Sequence, residues 1–127
     1  MDDPLHAVQL STGQFVVCHA GVTQHRVLVV DTGGHIIKSY GGPKGSAVGQ
    51  LNVPTSLAVY SQDNILVADY YNDKVRLLSA DMTHLGDLIL TNHQLSQPYC
   101  LYLDELNGLL YIGEGLGRGR LFVVKTK

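Results

Sequence analysis

Three prolines frame the chain. Pro4-Leu5-His6-Ala7-Val8 precedes FVVCH and then RVLVVD; Pro54-Thr55-Ser56-Leu57-Ala58-Val59 precedes ILVAD and then KVRLLS; Pro98-Tyr99-Cys100-Leu101-Tyr102-Leu103 precedes LLYIGE and then RLFVV. The prolines recur after 50 and then 44 residues. A recurrence of that length confines the chain to like units stacked on one another, because one such unit is too small to bury its own apolar face.

Each unit holds short runs rich in Val, Ile, Leu and Tyr, parted by turn chemistry such as Thr12-Gly13, Asp63-Asn64 and Asn107-Gly108, which reads as an antiparallel meander. A fourth run follows in the first two copies, HIIKSY at 35–40 and HLGDLIL at 84–90. The spacing therefore predicts eleven strands in groups of four, four and three. VLVV at 27–30 and ILVA at 65–68 are apolar without alternation, as expected of sheets covered on both faces. No segment keeps a 3.6-residue apolar period for three turns, which disfavours helix. Four-stranded antiparallel units at a period of ~40 to 50 residues read as β-propeller blades, here one all-β repeat region over 1–127 with blades at about 1–48, 49–95 and 96–127.

The stretch GQLNVPTSLAVYSQDNILVADYYNDKVRLLS, residues 49–79, resembles an NHL repeat: a glycine and proline lead-in, a strand, N-I-L-V-A-D, then N-x-[KR]-V opening the next strand. FVVCHAGVTQHRVLVVDTGGHIIKSYGGPKGSAVGQ is similar to a preceding blade in the TRIM-NHL (tripartite motif) proteins. The third copy departs most, with Glu114 at the position of Asp69 and the signature Asn absent. The resemblance implies the C-terminal half of an NHL propeller of about six blades, whose last blade takes its outer strand from the N-terminal end of the ring. With three residues ahead of Pro4, this chain is not expected to supply that strand. Two apolar blade faces, each on the order of several hundred Å², would then need covering. A head-to-tail homodimer closing a six-bladed ring does this; so does a missing half contributed by other polypeptide. Lys125 and Lys127 in RLFVVKTK would guard the leftover edge against further pairing.

Composition narrows the chemistry. A chain of 127 residues with 45% hydrophobic and 16% charged residues is ordinary for one globular domain, and a formal charge of −2 lacks the basic excess of proteins held on nucleic acid by bulk electrostatics. No apolar run reaches the ~18 to 20 residues that span a bilayer, and MDDPLHAVQL lacks a signal-peptide pattern; a cytoplasmic protein without membrane partners is expected. Cys18 and Cys100 both lie in apolar runs, where free thiols behave as small core residues.

Catalysis and cofactors find no anchor. The histidines at 6, 19, 25, 35, 84 and 93 form neither H-E-x-x-H nor a set with paired cysteines, and Ser56, Ser79 and Ser96 lie in no nucleophile elbow. Asp69 and Glu114 lack a positioned third partner; Asp69, with Asn72, reads as a turn-former. No RING or B-box pattern is present, so ligase activity could reside only in other polypeptide. The expectation is a non-enzymatic chain with no metal, cofactor or catalytic residue.

GEGLGRGR, Gly113 to Arg120, is not a dinucleotide cradle, since that motif needs a third glycine where Arg118 or Arg120 stands and a helix rather than a strand after it. It reads as a strand connection presenting Arg118 and Arg120. In a meander blade, the loops from second to third strand and from fourth strand to the next blade share one rim. That rim carries Arg26, Lys44, Lys74, Arg118 and Arg120 against Asp69, Asp73 and Glu114, a sum of +2; the other carries Asp31, Asp63, Asp81, Asp104 and Glu105, a sum of −5. Tyr70 and Tyr71 beside Asn72 and Lys74 either offer stacking faces or pack between blades. The candidate ligand-binding residues are thus Arg26, Lys44, Tyr70, Tyr71, Asn72, Lys74, Arg118 and Arg120. The expected function is recognition of protein partners through rim loops, as at the substrate-recognition end of TRIM-NHL ubiquitin ligases, with single-stranded RNA as the alternative ligand.

Overall fold

The computed structural model describes residues 3–91, 93–115 and 119–126. Its strands are β1 (Pro4–Gln9), β2 (Phe15–Ala20), β3 (Gln24–Val30), β4 (Ile36–Pro43), β5 (Pro54–Tyr60), β6 (Asn64–Asp69), β7 (Lys74–Leu78), β8 (His84–Asp87), β9 (Pro98–Asp104), β10 (Leu109–Glu114) and β11 (Leu121–Lys125). They form three antiparallel sheets in the orders β1-β2-β3-β4, β5-β6-β7-β8 and β9-β10-β11. Helix among the described residues is confined to two three-residue 3-10 turns, Ser61–Asp63 and Tyr70–Asn72.

The three sheets share one register. Pro4 pairs with His19 and Ala7 with Val17; Pro54 with Asp69 and Leu57 with Val67; Pro98 with Glu114 and Leu101 with Ile112. Each pairing contains a bulge next to the proline. The residue ahead of each proline is left-handed: Asp3 (φ 44), Val53 (φ 59) and Gln97 (φ 48). That conformation costs a non-glycine residue on the order of 1–2 kcal/mol. Tertiary bonds hold it: the carbonyls of Asp3, Val53 and Gln97 accept the amides of Ala20, Tyr70 and Gly115 at 3.3, 3.1 and 2.7 Å. Two of the amides are caught by the preceding blade, Val53 N–H by His25 Nδ1 and Gln97 N–H by Asp73 Oδ1, both at 2.8 Å.

The blades pack face to face through two apolar clusters. Val16, Cys18, Val27 and Val29 of the first blade meet Leu57, Ile65, Val67 and Leu78 of the second. Ala58, Leu66, Ala68 and Val75, on the other side of the second blade, meet Leu101, Leu110 and Ile112 of the third. The middle sheet is therefore covered on both faces, which is why ILVA does not alternate. Each buried Leu, Ile or Val contributes about 1.5–3 kcal/mol. The inner strands are also joined by side chains: Leu57 N–H donates to His6 Nδ1 at 2.8 Å and Leu101 N–H to Ser56 Oγ at 3.0 Å.

Both cysteines are free. Cys18 is buried and its thiol is pushed up to about 12 by that burial. Cys100 departs from the expectation of a core thiol: it is exposed, because β9 alternates and Leu101, not Cys100, points into the cluster with the second blade.

Candidate recognition surface

One device recurs where the second strand of each blade ends: an acceptor faces an arginine on, or leading into, the third strand. In the middle blade Asp69, fully buried, accepts Arg76 Nε at 3.0 Å, Asn72 Nδ2 at 2.8 Å and the Asn52 amide at 2.7 Å. Arg76 also donates to Asp87 at 3.2 Å, and His84 Nε2 meets Asp87 at 2.9 Å. Burial pushes the Asp69 carboxyl above its ordinary range against these donors. Burial also works against the Arg76 charge, but Asp69 and Asp87 outweigh it and hold the guanidinium pKa above normal. For Asp87, burial is overcome by His84 and Arg76, which keep the carboxyl below its usual range.

In the third blade Arg120 forks Glu114, Nε to Oε1 at 2.6 Å and Nη2 to Oε2 at 3.0 Å, and donates to the Gln94 carbonyl at 3.0 Å. Glu114 also accepts the Ser96 amide at 2.7 Å. The Arg120 guanidinium lies 4.9 Å from the centre of the Phe122 ring, a cation–π separation. In the first blade the pair is Arg26 Nε and His19 Nε2, 3.2 Å apart.

Beside these pairs, where the second and third blades meet, three tyrosines cluster on the rim. Tyr70 is buried, its ring edge-on to Tyr71 at 4.8 Å and to Tyr99 at 5.9 Å, and its hydroxyl is 3.4 Å from Gln97 Oε1. Gly115 makes room for it: a Cβ there would lie 2.6 Å from Tyr70 Cε1. Tyr71 is 58% and Tyr99 56% exposed, so two aromatic faces stand in solvent on a packed base. Lys74, half-exposed, lies 3.7 Å from Asp87.

The structure sorts the sequence-predicted residues. Tyr71, Lys74 and Lys44 are on the surface, and Lys44 makes no ion pair among the described residues. Tyr70 packs between blades and offers no stacking face. Asn72 spends its amide on the Gly45 carbonyl and Asp69, holding the turn. Arg26 is half-buried against His19. Arg120 is not a presented cation: it closes the base of the GEGLGRGR connection onto Glu114, because Glu114 ends β10 facing it across the hairpin. Arg118 lies outside the described residues. Asp3, Arg76 and Asp87 also belong to this rim; like for like with the sequence count, they lower its formal sum from +2 to +1, and Arg76, Arg120 and Lys74 each lie within 4 Å of a carboxylate.

Sequence reasoning missed Tyr99, Arg76 and Asp87. Tyr99 follows Pro98 and so begins an inner strand at the rim; Arg76 follows Asp69 by seven residues, as Arg26 follows His19. Those spacings were the available signals.

The opposite rim is built of turn-making carboxylates. Bonds from His35, Ser11, Ser79 and Asn107 hold Asp31, Asp63, Asp81 and Asp104 below the usual carboxylate range. Asp63 also ties two blades together, accepting Ser11 N–H at 3.0 Å and Oγ at 2.6 Å. A cavity of about 570 Å³ on this side, lined by Tyr60, Leu66, Leu77, Leu88, Leu103 and Val124 among others, is an apolar gap between the second and third blades, and none of Tyr70, Tyr71 and Tyr99 lines it. Among the described residues no three His, Cys, Asp or Glu side chains group as a metal site, and no helix is long and apolar enough to cross a membrane.

No protein-family model matches the chain, and no curated protein matches it in sequence. Solved structures do match. A protein of unknown function from Bacteroides caccae superposes with a TM-score of 0.59 at 18% identity, over 96% of this chain and 46% of that one. A streptogramin B lyase structure superposes with a TM-score of 0.55 at 16% identity, over 94% of this chain and 39% of that one. At such identities the likeness is one of fold, and it places these sheets as blades of a β-propeller. The chain spans less than half the length of either neighbour.

Proposed function

We propose that the chain is a non-catalytic recognition module that binds protein partners through the rim carrying Tyr71 and Tyr99, in the manner its resemblance to NHL propellers implies. The supporting observation is the pair of exposed tyrosines braced by buried Tyr70. Rigid aromatics of this kind dominate protein interfaces because they bury much area at little entropic cost. Carboxylates engage Arg76, Arg120 and Lys74 on this rim, which favours a protein over RNA, whose binding rests on phosphate neutralisation. Single-stranded RNA remains the second reading, on the strength of exposed Tyr71 with Lys74 and Lys44 nearby on the rim.

The test is affinity capture with wild-type chain, with Tyr71→Ala/Tyr99→Ala, and with Asp104→Ala on the opposite rim. Partners lost only with the tyrosine variant support the proposal. Partners retained by it overturn the assignment of the site. Binding to a pooled single-stranded RNA library that weakens with salt, with a slope that Lys74→Ala flattens by roughly 0.7, would establish the second reading instead.

A further inference from the structure

At both internal blade boundaries the residue two after the proline accepts a hydrogen bond from the residue three after the proline of the next blade: His6 from Leu57 N–H, and Ser56 from Leu101 N–H. The same two positions stand open at the ends of the array. Cys100 holds the acceptor position in the third blade and is exposed. Ala7, also exposed, pairs with Val17 as Leu57 pairs with Val67 and Leu101 with Ile112, so its amide occupies the donor position.

The side chains around these positions are complementary in size. On the outer face of the third blade, Tyr102 and Tyr111 stand at the register positions of Ala58 and Leu66 in the middle blade, so this face is the bulkier one. On the outer face of the first blade the donor position is Ala7, where the internal boundaries have Leu57 and Leu101. Large residues thus wait at one end for a surface trimmed at the other, as volume conservation in a packed interface requires. A groove of about 470 Å³, lined in part by Cys100, Tyr102, Tyr111 and Leu121, marks the place on the third blade. Tyr102, Leu121 and Val123 are 67%, 64% and 52% exposed there, an apolar area uncommon on a free surface.

We propose that the outer face of the third blade docks on the outer face of the first blade of a second copy of this chain, with Cys100 Sγ accepting the Ala7 amide of that copy. Two equal contacts of this kind close a ring about a two-fold axis. The inference concerns the end faces and is independent of what the rim binds.

Sedimentation of the full chain should give twice 13.8 kDa at low micromolar concentration. Tyr102→Glu, which changes an exposed side chain outside both core clusters, should raise the dimer dissociation constant roughly 30-fold or more while the monomer keeps its β-sheet circular dichroism. Ala7→Cys should give a covalent dimer through Cys100 on mild oxidation; the same change in a Cys100→Ser background, or Leu106→Cys on an exposed turn, should not. A monomer would overturn the proposal and assign the face to a different polypeptide. Larger open assemblies, a dimer indifferent to Tyr102→Glu, or crosslinking as efficient from Leu106→Cys as from Ala7→Cys would each overturn it too.

Discussion

The two blade boundaries use one device at two depths. Between the first and second blades Asp69 and Arg76 are 0% and 8% exposed in their side chains, and Asp87 extends the pair into a charge network that also reaches Lys74. Between the second and third, the Glu114 side chain is as buried as that of Asp69, but Arg120 is 31% exposed and has one carboxylate partner among the described residues, where Arg76 has two. A buried charge tolerates the loss of its partner far less than a solvated one. The first boundary is therefore the more deeply buried joint, whereas the arginine of the second reaches solvent.

Arg76→Ala tests this contrast most severely. It leaves Asp69 buried with no compensating charge and should cost about 3–5 kcal/mol in chemical denaturation. Removing both charges with Asp69→Leu and Arg76→Met should cost clearly less than the two single changes summed. Next in size is Arg120→Ala, at about 1–2 kcal/mol, since water can reach Glu114 once the guanidinium is gone. Equal costs for Arg76→Ala and Arg120→Ala would erase the distinction between the joints. An arginine merely presented on a loop would cost little on removal; the fork onto Glu114 is what raises the expected cost.

A pH effect should single out the first boundary. Burial lowers the His25 pKa below its ordinary value, and its Nδ1 must be unprotonated to accept the Val53 amide while Nε2 meets the Gly21 carbonyl at 3.1 Å. A group whose folded pKa is depressed contributes stability that is present above its unfolded pKa of about 6.5 and lost as pH falls through the lower folded value. Thermal unfolding followed from pH 7 downward should show that decline. His25→Gln, which keeps an acceptor that does not titrate, should flatten it. The smallest effect belongs to Tyr71→Ala: stability should stay within about 0.5 kcal/mol of wild type, while partner capture is lost. A large drop in melting temperature would show that Tyr71 braces Tyr70 rather than presenting a face.

The blades were legible because strand chemistry is local. Short apolar runs parted by Thr12-Gly13 or Asn107-Gly108 dictate hairpins whatever lies beyond them, and a proline-framed period of such hairpins leaves stacking as the way to bury them. His19, Asp69 and Glu114 could be aligned for the same reason. What each aligned residue does was not local. Whether Arg120 reaches solvent or Glu114 depends on two strand ends meeting across a connection, and the Arg76–Asp87 contact depends on a fourth strand returning beside the third. Tyr70 and Tyr71 are adjacent in sequence and similar in chemistry, yet one is buried and the other exposed. That choice was made by the neighbouring blade, whose Gly115 leaves a space only one of the two rings can enter.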